Sequence, residues 1–226
     1  MVTSLTTWTA RQTPAREPIA GNRVRLEPID PAQHATSLFA AVSCDADPTL
    51  WDYLPYGPFA GEDTFRKWVG EQAASNDPLS FAIVDQATGE AVGMCAFMRM
   101  DPQNGVIEIG SIWFSPALQR TTLASEAIFL MQAKTLGELG YRRLEWKCDN
   151  ANERSKRAAE RFGFTFEGIF RQHRIVKGKN RDTAWFSLLD SEWPANERAM
   201  RTWLDPSNFD EDGRQVRSLS EIREKA

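Results

Sequence analysis

Along most of the chain, apolar positions recur either every second residue or every three to four residues, the spacings of strands and helices. The alternating stretches predict strands over residues 23–29, 81–85, 91–100, 105–114, 142–148, 164–176 and 182–189. Helical spacing and capping residues predict helices from residue 31 and over 62–74, 122–139, 152–162 and 192–203. Turn-forming residues at 86–90, 101–105 and 177–181 predict hairpins. This order of elements indicates one α/β domain with a mixed sheet.

Length and composition fit one globular domain with polar ends. The chain has 226 residues, of which 42% are hydrophobic and 26% are charged, enough to bury one core. We expect an N-terminal arm over 1–20, a folded domain over 21–203 and a polar surface tail over 204–226. The first twenty residues lack the apolar centre of a signal peptide, and no apolar run is long enough for a membrane span. We therefore expect no membrane association and a cytoplasmic location.

Charge and cysteine content exclude several kinds of function. The net charge of −4 gives no electrostatic support for nucleic-acid binding, although the locally basic stretch from Arg171 to Arg181 can meet an anionic cofactor. Cys44, Cys95 and Cys148 are odd in number and lack metal-ligand spacing. We expect neither a metal site nor a disulfide framework, and we interpret Cys95 and Cys148 as small buried thiols.

The start of the helix predicted at residue 122 has the chemistry of an anion site. A helix N-terminus presents unpaired backbone N–H groups and a partial positive charge, which together bind phosphate. Arg120 adds a cation, and Thr121, Thr122 and Ser125 add hydroxyl groups. Taken alone, the same residues also fit an ordinary capped helix.

A series of motifs resembles the GNAT superfamily of acetyl-CoA-dependent N-acetyltransferases. The motifs are Glu108, Gln119-x-x-Thr122-x-Ala124, Asn152-x-x-Ser155 and Gly163-Phe164. The likeness covers roughly residues 21–192, and the chain is most similar to the branch that includes the ribosomal-protein N-terminal acetyltransferases. Thr122 stands where that family usually has a glycine, so a Cβ is present where the backbone approaches the cofactor.

The resemblance implies a GNAT-type α/β (α+β) fold with a mixed, mostly antiparallel sheet of six to seven strands and helices on both faces. It implies that acetyl-CoA lies in a V-shaped gap between the strands ending at Phe114 and Cys148. Backbone groups of Ile112 and Phe114 hold the pantetheine, and Asn152 contacts the same region. The residues around the pyrophosphate are Gln119, Arg120, Thr121, Thr122, Leu123, Ala124 and Ser125.

The implied reaction is direct acetyl transfer to a primary amine in a ternary complex. Glu108 takes the amine proton, a backbone N–H near Ile112 stabilises the developing oxyanion, and Ser155 donates to the thioester sulfur. Each residue also has a structural alternative: an ion pair for Glu108, an N-cap for Asn152 and a capping-turn hydroxyl for Ser155. A non-catalytic acyl-CoA-binding or sensing domain, or a structural domain without cofactor, are the competing hypotheses.

The acceptor side of the site is less specific. Trp51, Tyr53 and Tyr56 lie in the loop that covers the acceptor pocket in similar enzymes, although anchoring of the loop in the core explains them equally well. We expect His173 to be structural or solvent-facing. The acceptor is an amine of a small molecule or of a protein N-terminus, and the protein is a monomer or homodimer. The hairpin residues that shape this site, or only stabilise the hairpin, are Arg171, Arg174, Asn180, Arg181 and Asp182.

Overall fold

The computed structural model of the protein describes residues 5–43 and 49–224. Its centre is one eight-stranded sheet with the order β1-β2-β3-β4-β5-β6-β8-β7. The strands are β1 Ile19–Ala20, β2 Val24–Pro28, β3 Leu79–Asp85, β4 Ala91–Asp101, β5 Val106–Phe114, β6 Arg143–Asp149, β7 Thr165–Val176 and β8 Lys179–Leu189. The predicted fold class is confirmed; the two-residue strand β1, too short to show a period in sequence, adds an eighth strand.

Helices cover both faces of the sheet. They are α1 Pro31–Ser43, α2 Glu62–Ala74, α3 Thr122–Gln132, α4 Glu153–Arg161, α5 Trp193–Leu204 and α6 Leu219–Arg223. Helix α3 runs on into a π-helical segment, Ala133–Glu138, and Gly140 follows at φ 68°, which confirms the predicted helix over 122–139 and its glycine end. Helices α1 and α2 pack on β3 and β4 around Phe65, Trp68 and Trp113, whereas α3, α5 and α6 bury the opposite face.

The sheet is antiparallel except between β5 and β6, which run parallel. Their pairing covers three levels and ends where Glu108 faces Glu145. Beyond that level β5 carries a bulge in its pairing with β4, and Ser111 has φ 48° there. A bulge bends its strand and increases the twist, so β5 leaves β6 while β6 continues along β8 as far as Asp149. The prediction of parallel neighbours that part at one end is confirmed.

The polar tail expected from residue 204 needs a correction. The side chains of Leu219 and Ile222 in α6 are buried in the main core, with 2% and 5% exposure. Arg223 donates a hydrogen bond to the carbonyl of Arg161 at 2.8 Å. Two apolar residues three apart in a short, charged segment give too weak a period to predict this docking. The N-terminal arm also contacts the domain, because Trp8 donates to the carbonyl of Gln103 at 2.7 Å.

Two further expectations concern thiols and membranes. Cys95 and Cys148 are free and buried, as predicted, and Cys44 lies outside the described residues. No helix within 5–43 or 49–224 has the length and apolarity that crossing a membrane requires.

Docking of α6 predicts a stability contribution from the C-terminal segment. Ile222→Ala should lower the free energy of unfolding by about 2 kcal/mol, because it removes buried methyl groups and leaves a cavity. Val216→Ala is the control, since Val216 is 65% exposed and the change there should stay below about 0.5 kcal/mol. Urea denaturation measures both. Equal and small effects would show that α6 does not contribute to the core in solution.

Candidate active site

The candidate site lies where β5 and β6 part, with Glu108 and Lys147 on one face of the sheet and the starts of α3 and α4 on the other. The Glu108 side chain is buried, and its Oε2 accepts hydrogen bonds from Arg99 Nη1 and Lys147 Nζ, each at 2.8 Å. The ion pair considered as the alternative for this residue is therefore present. Oε1 accepts no hydrogen bond from the described residues and is turned toward Gly110, where an added Cβ would lie 3.4 Å from it. One oxygen of the carboxylate thus remains available for another partner.

Lys147 is the central cation of this cluster, and sequence reasoning missed it. Its side chain is 4% exposed; Nζ lies 2.8 Å from Glu108 Oε2 on β5 and 2.6 Å from Glu145 Oε2 on its own strand. It also lies 3.9 Å above the centre of the Trp185 ring on β8, a cation–π distance. The available signal was the alternation of Arg143, Glu145 and Lys147, which puts three charges on one face of a central strand.

Ser155 and Asn152 lie at the start of α4, beside the end of β6. Asn152 Oδ1 accepts from the Ser155 amide at 3.0 Å, so the N-cap considered as an alternative is present. The Ser155 hydroxyl accepts a hydrogen bond from Trp146 Nε1 at 2.9 Å, which leaves its own proton for a second partner, and the Cys148 sulfur is within hydrogen-bond reach of it. Burial raises the pKa of the neighbouring Cys148 thiol, and the Ser155 hydroxyl offsets only part of that rise.

The start of α3 has two unoccupied backbone donors. Thr121 is the N-cap, and its Oγ1 accepts from the Ala124 amide at 3.2 Å. The amides of Thr122 and Leu123 have no hydrogen-bond partner among the described residues. The exposed Arg120 precedes them at φ 63°. This end of α3 therefore has the free N–H groups and positive charge that bind anions.

Three of the residues predicted around the cofactor are engaged in contacts within the protein or buried in it. The Gln119 side chain donates to the carbonyl of Phe114 at 3.0 Å and so fixes the end of β5. Ser125 is buried; its hydroxyl donates to the Thr121 carbonyl and accepts from Arg161 at 3.1 Å. The Ala124 side chain is also buried. Ile112 lies at the bulge of β5 and has no ladder partner on β6.

The loop that carries Trp51, Tyr53 and Tyr56, here called the aromatic loop, contains both buried and accessible aromatic side chains. Trp51 is 6% exposed and packs against Tyr56, Phe59 and Trp113, so core anchoring explains it. Burial also raises the pKa of Tyr56 above its usual range. Tyr53 is 37% exposed, and its hydroxyl donates to the carbonyl of Ala151 just before α4. The loop thereby contacts the segment that positions Asn152 and Ser155.

The hairpin of β7 and β8 closes the other side of the site. Lys177 at its turn donates to the Trp51 carbonyl at 2.7 Å, which joins the hairpin to the aromatic loop. His173 is half-buried, with Nδ1 3.0 Å from Thr183 Oγ1 and its ring beside Phe170 and Trp185. These contacts agree with the expected structural role of His173, and they also place its ring beside Trp185, which lies against Lys147 Nζ.

The geometry defines a class of protein: an α+β domain in which two parallel strands part beside an anion-binding helix start, with charged and hydroxyl side chains at the divergence. No group of His, Cys, Asp and Glu side chains within the described ranges is arranged to hold a metal ion.

Comparison with known proteins identifies the family. The acetyltransferase (GNAT) domain family matches residues 23–165, so the chain belongs to it and is a GNAT-family N-acetyltransferase. A GCN5-related N-acetyltransferase from Brucella melitensis superposes with a TM-score of 0.95 at 50% identity, covering 97% of this chain and 100% of that one. A GNAT-family structure from Chromobacterium violaceum has a TM-score of 0.79 at 42% identity, covering 86% and 96%.

A more distant relative bears a ribosomal name. The Bacillus subtilis protein named "Putative ribosomal N-acetyltransferase YdaF" is 27% identical over 148 residues, which cover 63% of this chain and 78% of that protein. The likeness to the GNAT family inferred from the motifs is thereby confirmed.

Proposed function

We propose that the protein transfers an acetyl group directly from acetyl-CoA to a primary amine. The observation that carries this proposal is the divergence of β5 from β6 immediately after Glu108, beside two free amides at the start of α3. The divergence provides a slot for an extended chain, and the helix start provides a site for its phosphates. The short connection from Phe114 to Thr122 joins the unpaired end of β5 to this helix start.

The residues present fit acetyl-CoA. The amides of Thr122 and Leu123, with Arg120 beside them, can hold the pyrophosphate. The edge of β5 around Ile112, left without a partner on β6, can bond the amide groups of pantetheine as a strand does. Asn152 retains its side-chain NH₂ for the same chain, because only its Oδ1 is used in capping α4. Phe114 contributes less than expected, since Gln119 already occupies its carbonyl.

Acetyl-CoA supplies an activated acetyl group, and the protein supplies proton transfer and orientation. Oε1 of Glu108 accepts the proton of the acceptor ammonium, directly or through a water, while Arg99 and Lys147 hold the other oxygen in place. The Ser155 hydroxyl, oriented by Trp146, donates a proton toward the leaving sulfur. Both roles use atoms that the ion pair and the Trp146 hydrogen bond leave available, namely Oε1 of Glu108 and the hydroxyl proton of Ser155.

Direct transfer is favoured over a covalent enzyme intermediate by the state of Cys148. The thiolate is the nucleophilic form of cysteine, and burial raises the pKa of this thiol. A protonated, buried thiol is a poor acceptor for an acetyl group at neutral pH. The acceptor amine therefore attacks without an intermediate on the protein.

Thr122→Pro should test the pyrophosphate position. Proline is well tolerated at the first helical position, so α3 should remain intact while one free N–H is lost. We expect CoA affinity to fall roughly tenfold by calorimetry, about the value of one hydrogen bond to a charged group. Thr122→Ala keeps the N–H and is the matched control, expected to bind normally. Equal CoA affinities for the two folded variants would place the pyrophosphate elsewhere.

Thiol release from acetyl-CoA with a panel of amines tests the activity itself. Glu108→Gln should reduce turnover most at low pH, where fewer acceptor amines are already neutral, and should leave CoA affinity nearly intact. Ser155→Ala should slow turnover by roughly tenfold to a hundredfold, as expected for one proton-transfer group. Cys148→Ala should retain activity.

Two outcomes would contradict the proposal. If CoA binds but no amine accelerates thiol release, the protein is a non-catalytic CoA-binding domain. A stoichiometric acetyl adduct on Cys148 in the absence of amine would contradict direct transfer.

A further inference from the structure

The hairpin beside the site has a charge opposite to that of the whole chain. Residues 171–182 contain five cations, Arg171, Arg174, Lys177, Lys179 and Arg181, and one acid, Asp182, in a chain of net charge −4. Asp182 accepts hydrogen bonds from the Gln172 amide and the Asn180 side chain, so it serves the hairpin itself. The excess positive charge is therefore not neutralised from within the hairpin.

Arg174 and Arg181 face each other directly across the β7–β8 ladder. Like charges in that position destabilise a sheet, and their repulsion contributes to lowering the pKa of Arg181, after burial. Neither guanidinium forms an ion pair with the described residues, and Arg181 Nε is buried without an acceptor. Asp149 and, less strongly, Glu108 attract Arg181 without forming an ion pair with it; Asp149 Oδ1 accepts from the Ala151 amide, and Glu108 is paired with Arg99 and Lys147. An anion bound between the two arginines would relieve the repulsion.

His173 reports the electrostatic potential at this end of the site. Its pKa is lowered first by burial and then by the cations of Arg174, Arg181, Arg99 and Lys147. Because the lowered pKa keeps the imidazole neutral at neutral pH, His173 can act there as a hydrogen-bond donor or acceptor without adding charge. The nearby acids Glu108 and Glu145 are already paired with Arg99, Arg143 and Lys147. The uncompensated charge around His173 is thus positive.

Trp185 adds a further unoccupied donor. Its ring contacts Lys147 Nζ and the rings of Phe170 and His173. Its Nε1 is buried and has no hydrogen-bond partner among the described residues, a costly state unless a ligand or water completes it. Trp185 and the two arginines therefore offer N–H donors and positive charge, while Glu108 offers a free carboxylate oxygen for an amine.

We propose that Arg181 and Arg174 bind a carboxylate of the acceptor, so that the substrate is a small amine that also carries a carboxylate group. The inference rests on the proposed acetyl transfer and adds the chemical class of the acceptor. Arginine is suited to this role because its planar guanidinium can donate two parallel hydrogen bonds to a carboxylate. The amine end of the same molecule then lies toward Glu108 Oε1.

The first test measures the pKa of the His173 imidazole by NMR in the full chain. The chain has two histidines, His34 and His173, and the signal that is lost in His173→Gln is that of His173. The probes are ω-amino carboxylates from glycine to 6-aminohexanoate, each with the alkylamine of equal length. At least one amino carboxylate should raise the His173 pKa, because a bound anion stabilises the imidazolium, whereas no alkylamine should raise it. Arg181→Gln should raise the pKa in the free protein and abolish the response to ligand.

Arg198→Gln is the matched control, because it removes the same charge from an exposed position on α5, which packs on the opposite face of the sheet. It should leave both the pKa of His173 and its response unchanged. A response of equal size in Arg181→Gln and in the parent protein would overturn the assignment of Arg181. If no amino carboxylate raises the pKa of His173, the proposed anion site is wrong.

The second test is the ratio of kcat/KM for an amino carboxylate to that for its matched alkylamine. Arg181→Gln should lower this ratio roughly tenfold to a hundredfold, the value of a charged hydrogen bond, with CoA affinity unchanged. If alkylamines or acidic peptides are acetylated and amino carboxylates are not, the acceptor class is wrong while the acetyltransferase function stands. If CoA affinity falls with Arg181→Gln, the arginine belongs to the CoA site and the inference fails.

Discussion

One buried ammonium group, Nζ of Lys147, joins β5 and β6 at the last level where the two strands are paired. It binds the carboxylates of Glu108 and Glu145, which face each other there and would otherwise repel. Removing one partner from such a buried network typically costs about 3–5 kcal/mol. The strands can part immediately beyond this level because the charge cluster holds them together just before it. The position of Glu108, and hence of its free oxygen, follows from the same contact.

From this level onward the ends of several elements converge on one slot. The bulged end of β5 forms one side, the end of β6 with the start of α4 forms the other, and α3 begins a short turn away with two free amides. The aromatic loop and the β7–β8 hairpin meet across the slot through Lys177 and the Trp51 carbonyl. A donor approaching along β5 and an acceptor approaching along the hairpin therefore meet beside Glu108 and Ser155, which is the arrangement that direct transfer requires.

Much of the fold was predictable because its signals are local. Alternation predicted β2 to β8, and residues such as Thr121, Asn152 and Gly163 marked helix ends by their own chemistry. The charge cluster was not predictable in the same way, because whether Lys147 reaches Glu108 depends on the register between β5 and β6. The buried state of Trp51 and the docking of α6 likewise depend on tertiary packing. Segments this short carry no periodic pattern of apolar residues from which that packing could be predicted. The motif residues were found, but the structure shows that Gln119 and Ser125 are engaged in contacts within the protein.

The central claim is that the gap between β5 and β6 is the site where acetyl-CoA binds. A crystal structure of the protein with CoA tests it most directly. The account predicts pantetheine between the two strands beyond the Glu108 level, with the pyrophosphate bonded to the amides of Thr122 and Leu123 and the sulfur near the Ser155 hydroxyl. CoA bound at another surface, with the gap filled by side chains of the protein, would contradict it.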